Sequence, residues 1–294
     1  MKPTPRDFLQ LTKPTIMLLV LLTGASALMV EGSMMSDPLG FLLVLLGLFA
    51  TGGCANALNQ YFERDIDAQM ERTAKKRPLP SGRISPGAAL VFTICLGIFG
   101  VVLFAVAFNW ASAALALATV LFYGFFYTLY LKPRTHFNIV IGGAAGAMAP
   151  PIAWAAATGS VAAVAPWVMF AIIFFWTPPH FWALAYCLRD QYKKVDYPML
   201  PVVKGGPETL RQIVMYTVLL IAITLLMPLS QVGVIYIALA VVLGAVFLML
   251  ALKVRSTGEI RDSWGLFGYS IVYLLVLFTG IMVDAALTYQ PWKG

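Results

Sequence analysis

Nine apolar stretches, each near the ~20 residues a helix needs to cross a bilayer, take up most of this 294-residue chain. They run approximately over 16–30, 39–58, 88–108, 111–130, 138–157, 165–187, 213–229, 232–253 and 266–287. Lipid offers backbone N–H and C=O groups no partners, so stretches of this length are expected to be helices that satisfy their own backbone. Composition agrees: 60% of residues are hydrophobic, 11% are charged and the mean hydropathy is +0.84. Soluble domains sit at roughly 45–50% and about 25%. A soluble globule, a disordered chain and a collagen are thereby excluded, and three cysteines exclude a disulfide scaffold. The fold class expected is all-α, a polytopic membrane protein of nine transmembrane helices forming one domain over 1–294.

Cys54, Cys95 and Cys187 lie in or beside apolar runs and show no C-x-x-C or Cys/His ligand spacing, so they read as small packing residues. Ala25-Ser26-Ala27 resembles a signal-peptidase site, but the apolar run continues to Val30, which favours an uncleaved first helix.

The net charge of +7 has a topological reading. In a nine-span layout, 19 of the 20 Lys and Arg residues fall on one side, and Lys293 alone lies on the other. The positive-inside rule then places the N-terminus and the loops 60–87 and 188–212 in the cytoplasm, with the C-terminus outside. So uneven a split favours an odd number of spans and leaves no basic surface calling for nucleic acid. The external links are short, Asn109 and Ser230-Gln231 among them. Most carboxylates sit in the two long cytoplasmic loops, where chemistry is expected.

The second stretch runs into Asn59, Glu63 and Asp67, spaced four apart. Each step of four advances a helix face by only about 40°, so the three side chains share one stripe. Hard oxygen ligands at a helix mouth suit Mg²⁺, which substrate phosphates commonly complete. A solvated helix end balanced by Arg64 and Arg72 fits the same spacing. The basic run that follows, with Arg72, Lys75, Lys76, Arg77 and Arg83 among Pro78, Pro80 and Gly82, reads as a membrane anchor or as a clamp on diphosphate oxygens. After the sixth stretch, Asp190 and Asp196 again put acids beside bases, though a spacing of six is no clean one-face pair. Two acidic ends on one side suggest a two-metal clamp. Pro178-Pro179 is expected to break or kink the sixth helix beside His180, itself a packing residue or a ligand. Gly142-Gly143 and Gly146 follow a helix start, which rejects a dinucleotide fingerprint and favours close helix packing.

Asn59-x3-Glu63-x3-Asp67, Arg72-Thr73, Arg77-Pro78 and Gly82 resemble the intramembrane prenyltransferase superfamily that includes 4-hydroxybenzoate polyprenyltransferase. Further blocks resemble its heme-farnesylating branch: Tyr127-Thr128, Leu131-Lys132, 138–143, Ala149-Pro150-Pro151, 177–185, 198–205 and 266–274. The resemblance spans roughly 8–285. The chain departs from the common pattern at Gln60 and Glu63, where Asp is usual, and at Gln191-Tyr192, where Asp-Tyr is usual.

The resemblance implies helices around a central cavity, with the two cytoplasmic loops covering its mouth. It implies farnesyl diphosphate and heme b as substrates and heme O as product, with Mg²⁺ held by Asn59, Glu63 and Asp67 and by Asp190 or Asp196. Arg72, Arg77 and Lys132 would stabilise the departing diphosphate. Tyr127, Arg134, Asn138, Trp176 and Lys193 would contact substrate, and His180 would serve heme as axial ligand or propionate partner. A bacterial plasma membrane is expected from the lack of a transit peptide, with heme A synthase or a terminal oxidase as contact. Two other readings remain: a prenyltransferase for an aromatic or quinone precursor, which lacks the 177–185 block, and a non-catalytic heme-binding assembly factor. A transporter is set aside because mid-span positions carry almost no charge.

Overall fold

A computed structural model describes residues 3–227 and 232–288, and every regular element in that range is helical. In chain order these are α1 (Pro5–Leu11), α2 (Pro14–Glu31), α3 (Pro38–Phe62), α4 (Arg64–Asp67), α5 (Glu71–Ala74), α6 (Pro86–Ala107) and α7 (Trp110–Leu121). They continue with α8 (Asn138–Gly146), α9 (Ala149–Thr158), α10 (Val164–Cys187), α11 (Arg189–Lys194), α12 (Leu200–Val203), α13 (Gly205–Thr224), α14 (Val234–Thr257) and α15 (Ile260–Thr288).

Local chemistry sets many of the starts. α1, α2, α3 and α6 each carry proline in the first turn, where its missing N–H costs nothing. The Asp37 carboxylate accepts from Gly40 N at 2.9 Å to cap α3, and the Asn109 carbonyl accepts from Ser112 N at 2.9 Å to cap α7. Asn109 also donates to the carbonyls of Ala155 and Ala156, which ties the α6–α7 turn to the end of α9.

Among the described residues, eight helical segments are long and apolar enough to cross a membrane. The expected seventh span corresponds to α13, whose first turns carry Glu208, Arg211 and Gln212 and so dilute its hydropathy. The expected Ser230-Gln231 link and Lys293 lie outside the described residues. α13 packs on α10 and α14, α14 on α15, and α15 returns to α10 and α2, while α2 meets α3 and α9. That circuit closes the bundle; Ser26 Oγ of α2 donates to the Phe278 carbonyl of α15 at 3.2 Å. α6 and α14 lie at the periphery with exposed rows such as Val91, Ile98, Val102 and Val241, which read as lipid-facing.

The expected break in the sixth span does not occur. α10 runs unbroken through Pro178 and Pro179, and only the carbonyls one turn earlier lose their donors. The break falls instead in the fifth span, between α8 and α9, just before Pro150-Pro151. Beyond α7 the chain winds as a π-helix over Phe122–Leu131. So long a run with five-residue hydrogen bonding is rare and marks functional regions more often than packing ones. Its Tyr127 ring lies where a Cβ on Gly142 would stand, so α8 can approach the π-helix only because residue 142 is glycine. Gly143 beside it faces Thr177 of α10 in the same way.

Gly142→Ala is therefore expected to destabilise the bundle by about 1–3 kcal/mol through overpacking. Gly146→Ala, with nothing within 4 Å of its Cβ position, should be neutral or slightly stabilising. Thermal unfolding of the two variants in one detergent separates them.

Candidate active site

Asn59, Glu63 and Asp67 end α3 and cross into α4, and each is at least 97% buried. Buried carboxylates need partners, and here the partners arrive from distant parts of the chain. Lys132, just past the π-helix, pairs with Glu63. Arg77 pairs with Asp67 and approaches Glu63 at 3.7 Å. Lys13, at the left-handed turn between α1 and α2, donates to Asn59 Oδ1 at 2.9 Å, and Asn59 Nδ2 donates to Thr128 Oγ1 at 3.3 Å. The Tyr197 ring closes over Lys132, 5.0 Å from its Nζ. Thr73 Oγ1 donates to the Asp67 carbonyl at 2.7 Å, fixing the turn that brings Arg77 back.

The charges are strongly coupled. Burial alone would raise the Glu63 carboxyl, but Lys132 and Arg77 outweigh it and hold that group below its ordinary value. At Asp67 burial wins over Arg77, with Glu63 adding to it, and the carboxyl is raised. Burial, reinforced by Arg77, pulls the Lys13 ammonium down to about 7. Burial also raises the Tyr192 and Tyr197 hydroxyls.

Glu63, Asp67, Arg77, Lys132 and Asn59 thus meet as the sequence suggested. The Arg72 side chain is partly buried, and its Nε is without a partner. It lies near enough to Tyr192 to be the first charge acting on that hydroxyl. The second acidic segment is not as expected. Asp190 and Asp196 are exposed and make no ion pair among the described residues, nor does a third acid, His or Cys join Glu63 and Asp67. The phase of α11 turns Asp190 out while Tyr192 is buried, as is Gln191 Oε1; Asp196 lies beyond α11, at a left-handed residue of the turn that follows, and is exposed. Lys193 is exposed on the same outer face. Arg134 also turns away, donating to the Leu129 and Tyr130 carbonyls and stacking on Tyr130 at the end of the π-helix.

Tyr127 is buried and stacks on Tyr123 with centroids 5.0 Å apart. Asn138, wholly buried, donates to the Thr135 carbonyl and leaves its Oδ1 without a partner. His180 lies between Trp176 and Phe267, stacked at 4.2 and 4.7 Å. Trp176 Nε1 donates to the Ser270 carbonyl, and the Ser270 hydroxyl donates to the Phe267 carbonyl at 2.6 Å. That hydroxyl then accepts from His180 Nδ1 at 2.6 Å, which leaves Nε2 as the basic nitrogen.

Lys13, Tyr123 and Tyr197 escaped the sequence reading as site residues, while Thr128, Gln191 and Tyr192 entered it only through the resemblance, without a role. Lys13 carried a signal of its own: a cation directly preceding the proline that starts the first span.

The donor set suits a hard divalent cation: an amide oxygen and two buried carboxylates where α3 passes into α4.

The sequence profile of the UbiA prenyltransferase family matches residues 18–282. Curated relatives named protoheme IX farnesyltransferase include those of Parvibaculum lavamentivorans and Erythrobacter litoralis. The first is 46% identical, covering 96% of this chain and 89% of that protein; the second is 45% identical, covering 96% and 93%. Among solved structures, one of digeranylgeranylglyceryl phosphate synthase matches with a TM-score of 0.76 at 20% identity, covering 95% of this chain and 98% of that one. A UbiA homolog from Archaeoglobus fulgidus bound to DMAPP and Mg²⁺ matches with a TM-score of 0.68 at 20% identity, covering 94% and 99%. These last two establish the fold. With the buried acid–base mouth, the multi-pass helical bundle and a family match over nearly the whole sequence, the chain belongs to the UbiA prenyltransferase family.

Proposed function

We propose that this enzyme transfers the farnesyl group of farnesyl diphosphate to a vinyl group of protoheme IX, giving heme O and diphosphate. The observation that carries this reading is likeness over almost the full length, at 42–46% identity, to relatives named for that reaction. The site chemistry supports it. Arg77 and Lys132 match Glu63 and Asp67 in number, and Lys13 adds positive charge when protonated, so the mouth holds buried cations for a polyanionic leaving group.

Asn59, Glu63 and Asp67 would hold Mg²⁺, which when bound neutralises charge on the leaving diphosphate. Binding of metal and diphosphate would release Lys132 and Arg77 from the carboxylates to the phosphate oxygens, and Arg72, unpartnered at Nε, adds a further donor. The C1–O bond of the farnesyl group breaks, and diphosphate leaves with the bonding pair. The stacked faces of Tyr123 and Tyr127 stabilise the allylic cation. The vinyl terminus attacks C1, water captures the resulting benzylic-type cation, and a proton is lost to give the hydroxyethylfarnesyl group. Apolar walls keep stray water from the allylic cation before the vinyl group reaches it. His180, with Nδ1 committed to Ser270, would offer Nε2 to heme, while Trp176 and Phe267 fix the ring plane.

The mouth is assigned to the cytoplasmic side of the plasma membrane, because the segments supplying Lys13, Arg77 and Lys132 all belong to the basic face. Heme A synthase or a terminal oxidase would receive the product.

Asp67→Asn and Glu63→Gln should each lower prenylation by at least about 10²-fold with helical content unchanged. Chelation should abolish activity and Mg²⁺ restore it, followed by mass spectrometry of heme. Full farnesylation by Asp67→Asn would refute the metal role. Titrating heme into His180→Ala should shift the Soret band relative to the parent protein; an identical band would rule out axial ligation.

A further inference from the structure

α1 ends at Leu11 and α2 begins at Pro14, so the chain turns within Thr12 and Lys13. The last carbonyls of a helix lack donors inside it. In a continuing helix residue 14 would donate to the Gln10 carbonyl, and Pro14 has no N–H to give. Water has no access either, because Leu11 and Thr12 are buried.

α3 supplies the missing donors. Gln60 Nε2 donates to the Gln10 carbonyl at 3.1 Å and to the Leu11 carbonyl at 2.9 Å, and Asn56 Nδ2 donates to the Thr12 carbonyl at 3.1 Å. Asn56 and Gln60 lie four apart on one face of α3, which is what lets both reach the turn. Gln60 is 1% exposed, and its Oε1 has no partner among the described residues. Turning the amide over would set that oxygen against two carbonyls, so the orientation is fixed. Residue 60 is used for its N–H groups alone, and a carboxylate there could not provide them. Arg83 braces α1 from the other side, donating to Asp7 Oδ1 at 2.8 Å and to Gln10 Oε1 at 2.9 Å.

The turn held in this way is strained. Lys13 has φ of 54° and ψ of 64°, a left-handed backbone that favours glycine, and a following proline disfavours it further. Such a residue persists only where its surroundings over-determine it, and such strain clusters at working sites. The side chain carried by this backbone reaches the mouth: Lys13 Nζ lies 2.9 Å from Asn59 Oδ1.

We propose that Gln60, together with Asn56, is a positioning residue of the mouth: by holding the carbonyls ahead of Lys13 it keeps the turn left-handed and the ammonium aimed where a diphosphate binds. The inference rests on the reading of the mouth as a prenyl diphosphate site, and it deepens that reading by naming what places one of its cations.

The test is a double-mutant cycle between residues 60 and 13 in the purified protein with Mg²⁺, read as displacement of labelled farnesyl diphosphate. Lys13→Met should weaken that binding by about tenfold, the worth of one hydrogen bond to a charged group. Gln60→Met, similar in length but without donors, should weaken it nearly as much. In the Lys13→Met background the same change should cost less than about twofold, because the group it positions is gone. Heme affinity, followed by optical titration, should stay within about twofold in all three variants, which a general loosening of the bundle would not allow. Asn56→Leu carries the same cycle should Gln60→Met not fold. Equal losses with and without the lysine, no loss from either single change, or a parallel loss of heme affinity would each overturn the proposal. A parent protein that shows the coupling yet yields no prenylated heme would overturn the heme reading and leave the positioning role standing. A parent protein that does not bind farnesyl diphosphate would overturn both.

Discussion

Two buried carboxylates at the end of one helix cannot stay buried without cations, and the cost of leaving either alone is several kcal/mol. Glu63 and Asp67 impose that demand, and the chain meets it with Lys132 and Arg77, while Lys13 takes the adjoining Asn59 amide. Those cations come from three segments separated in sequence by more than fifty residues. The charge cluster therefore fixes the N-terminal turn, the loop after α5 and the end of the π-helix against the end of α3. A site that binds a polyanion is a by-product of the same arrangement, because the cations that stabilise the free protein are the ones a diphosphate needs.

Below that mouth, close packing at glycines works alongside single inter-helix hydrogen bonds such as Ser26 to Phe278 and Asn109 to Ala155. Glycines at 24, 47, 142 and 143 each receive a neighbouring side chain in the space a Cβ would fill. This is how helices gain contact where lipid removes the hydrophobic incentive to associate. At Gly142 the contact serves the site, since it holds the π-helix that carries Tyr127, Thr128 and, one step beyond, Lys132. At Gly24 it seats Leu48 of α3. Trp176, His180 and Ser270 form a hydrogen-bonded unit between α10 and α15 whose donors and acceptors are settled except at one imidazole nitrogen.

That Asn59, Glu63 and Asp67 come together was legible in the sequence because four-residue spacing at a helix end brings such side chains to one side. Asp190 and Asp196 are exposed instead: a spacing of six that runs off a short helix into a turn fixes no common face, and the buried positions are Tyr192 and Tyr197. Of the two outcomes expected at Pro178-Pro179, a break or a kink, the break does not occur. Proline removes donors but does not forbid a helix that packs on its neighbours, so α10 continued. Arg134 and Lys193, expected from the resemblance to contact substrate, each face outward at the ends of the π-helix and α11.

By itself the sequence determined that this chain is a bundle of membrane-crossing helices with its charges gathered on one face, since length, hydropathy and Lys/Arg placement are properties of the linear chain. It also determined the Asn59, Glu63, Asp67 stripe, which needs only helical periodicity. Tertiary structure decided which cations meet those acids and which aromatic residues close over them. Those outcomes depend on contacts between helices far apart in sequence, and helix phase, glycine notches and a π-helical segment set them in space.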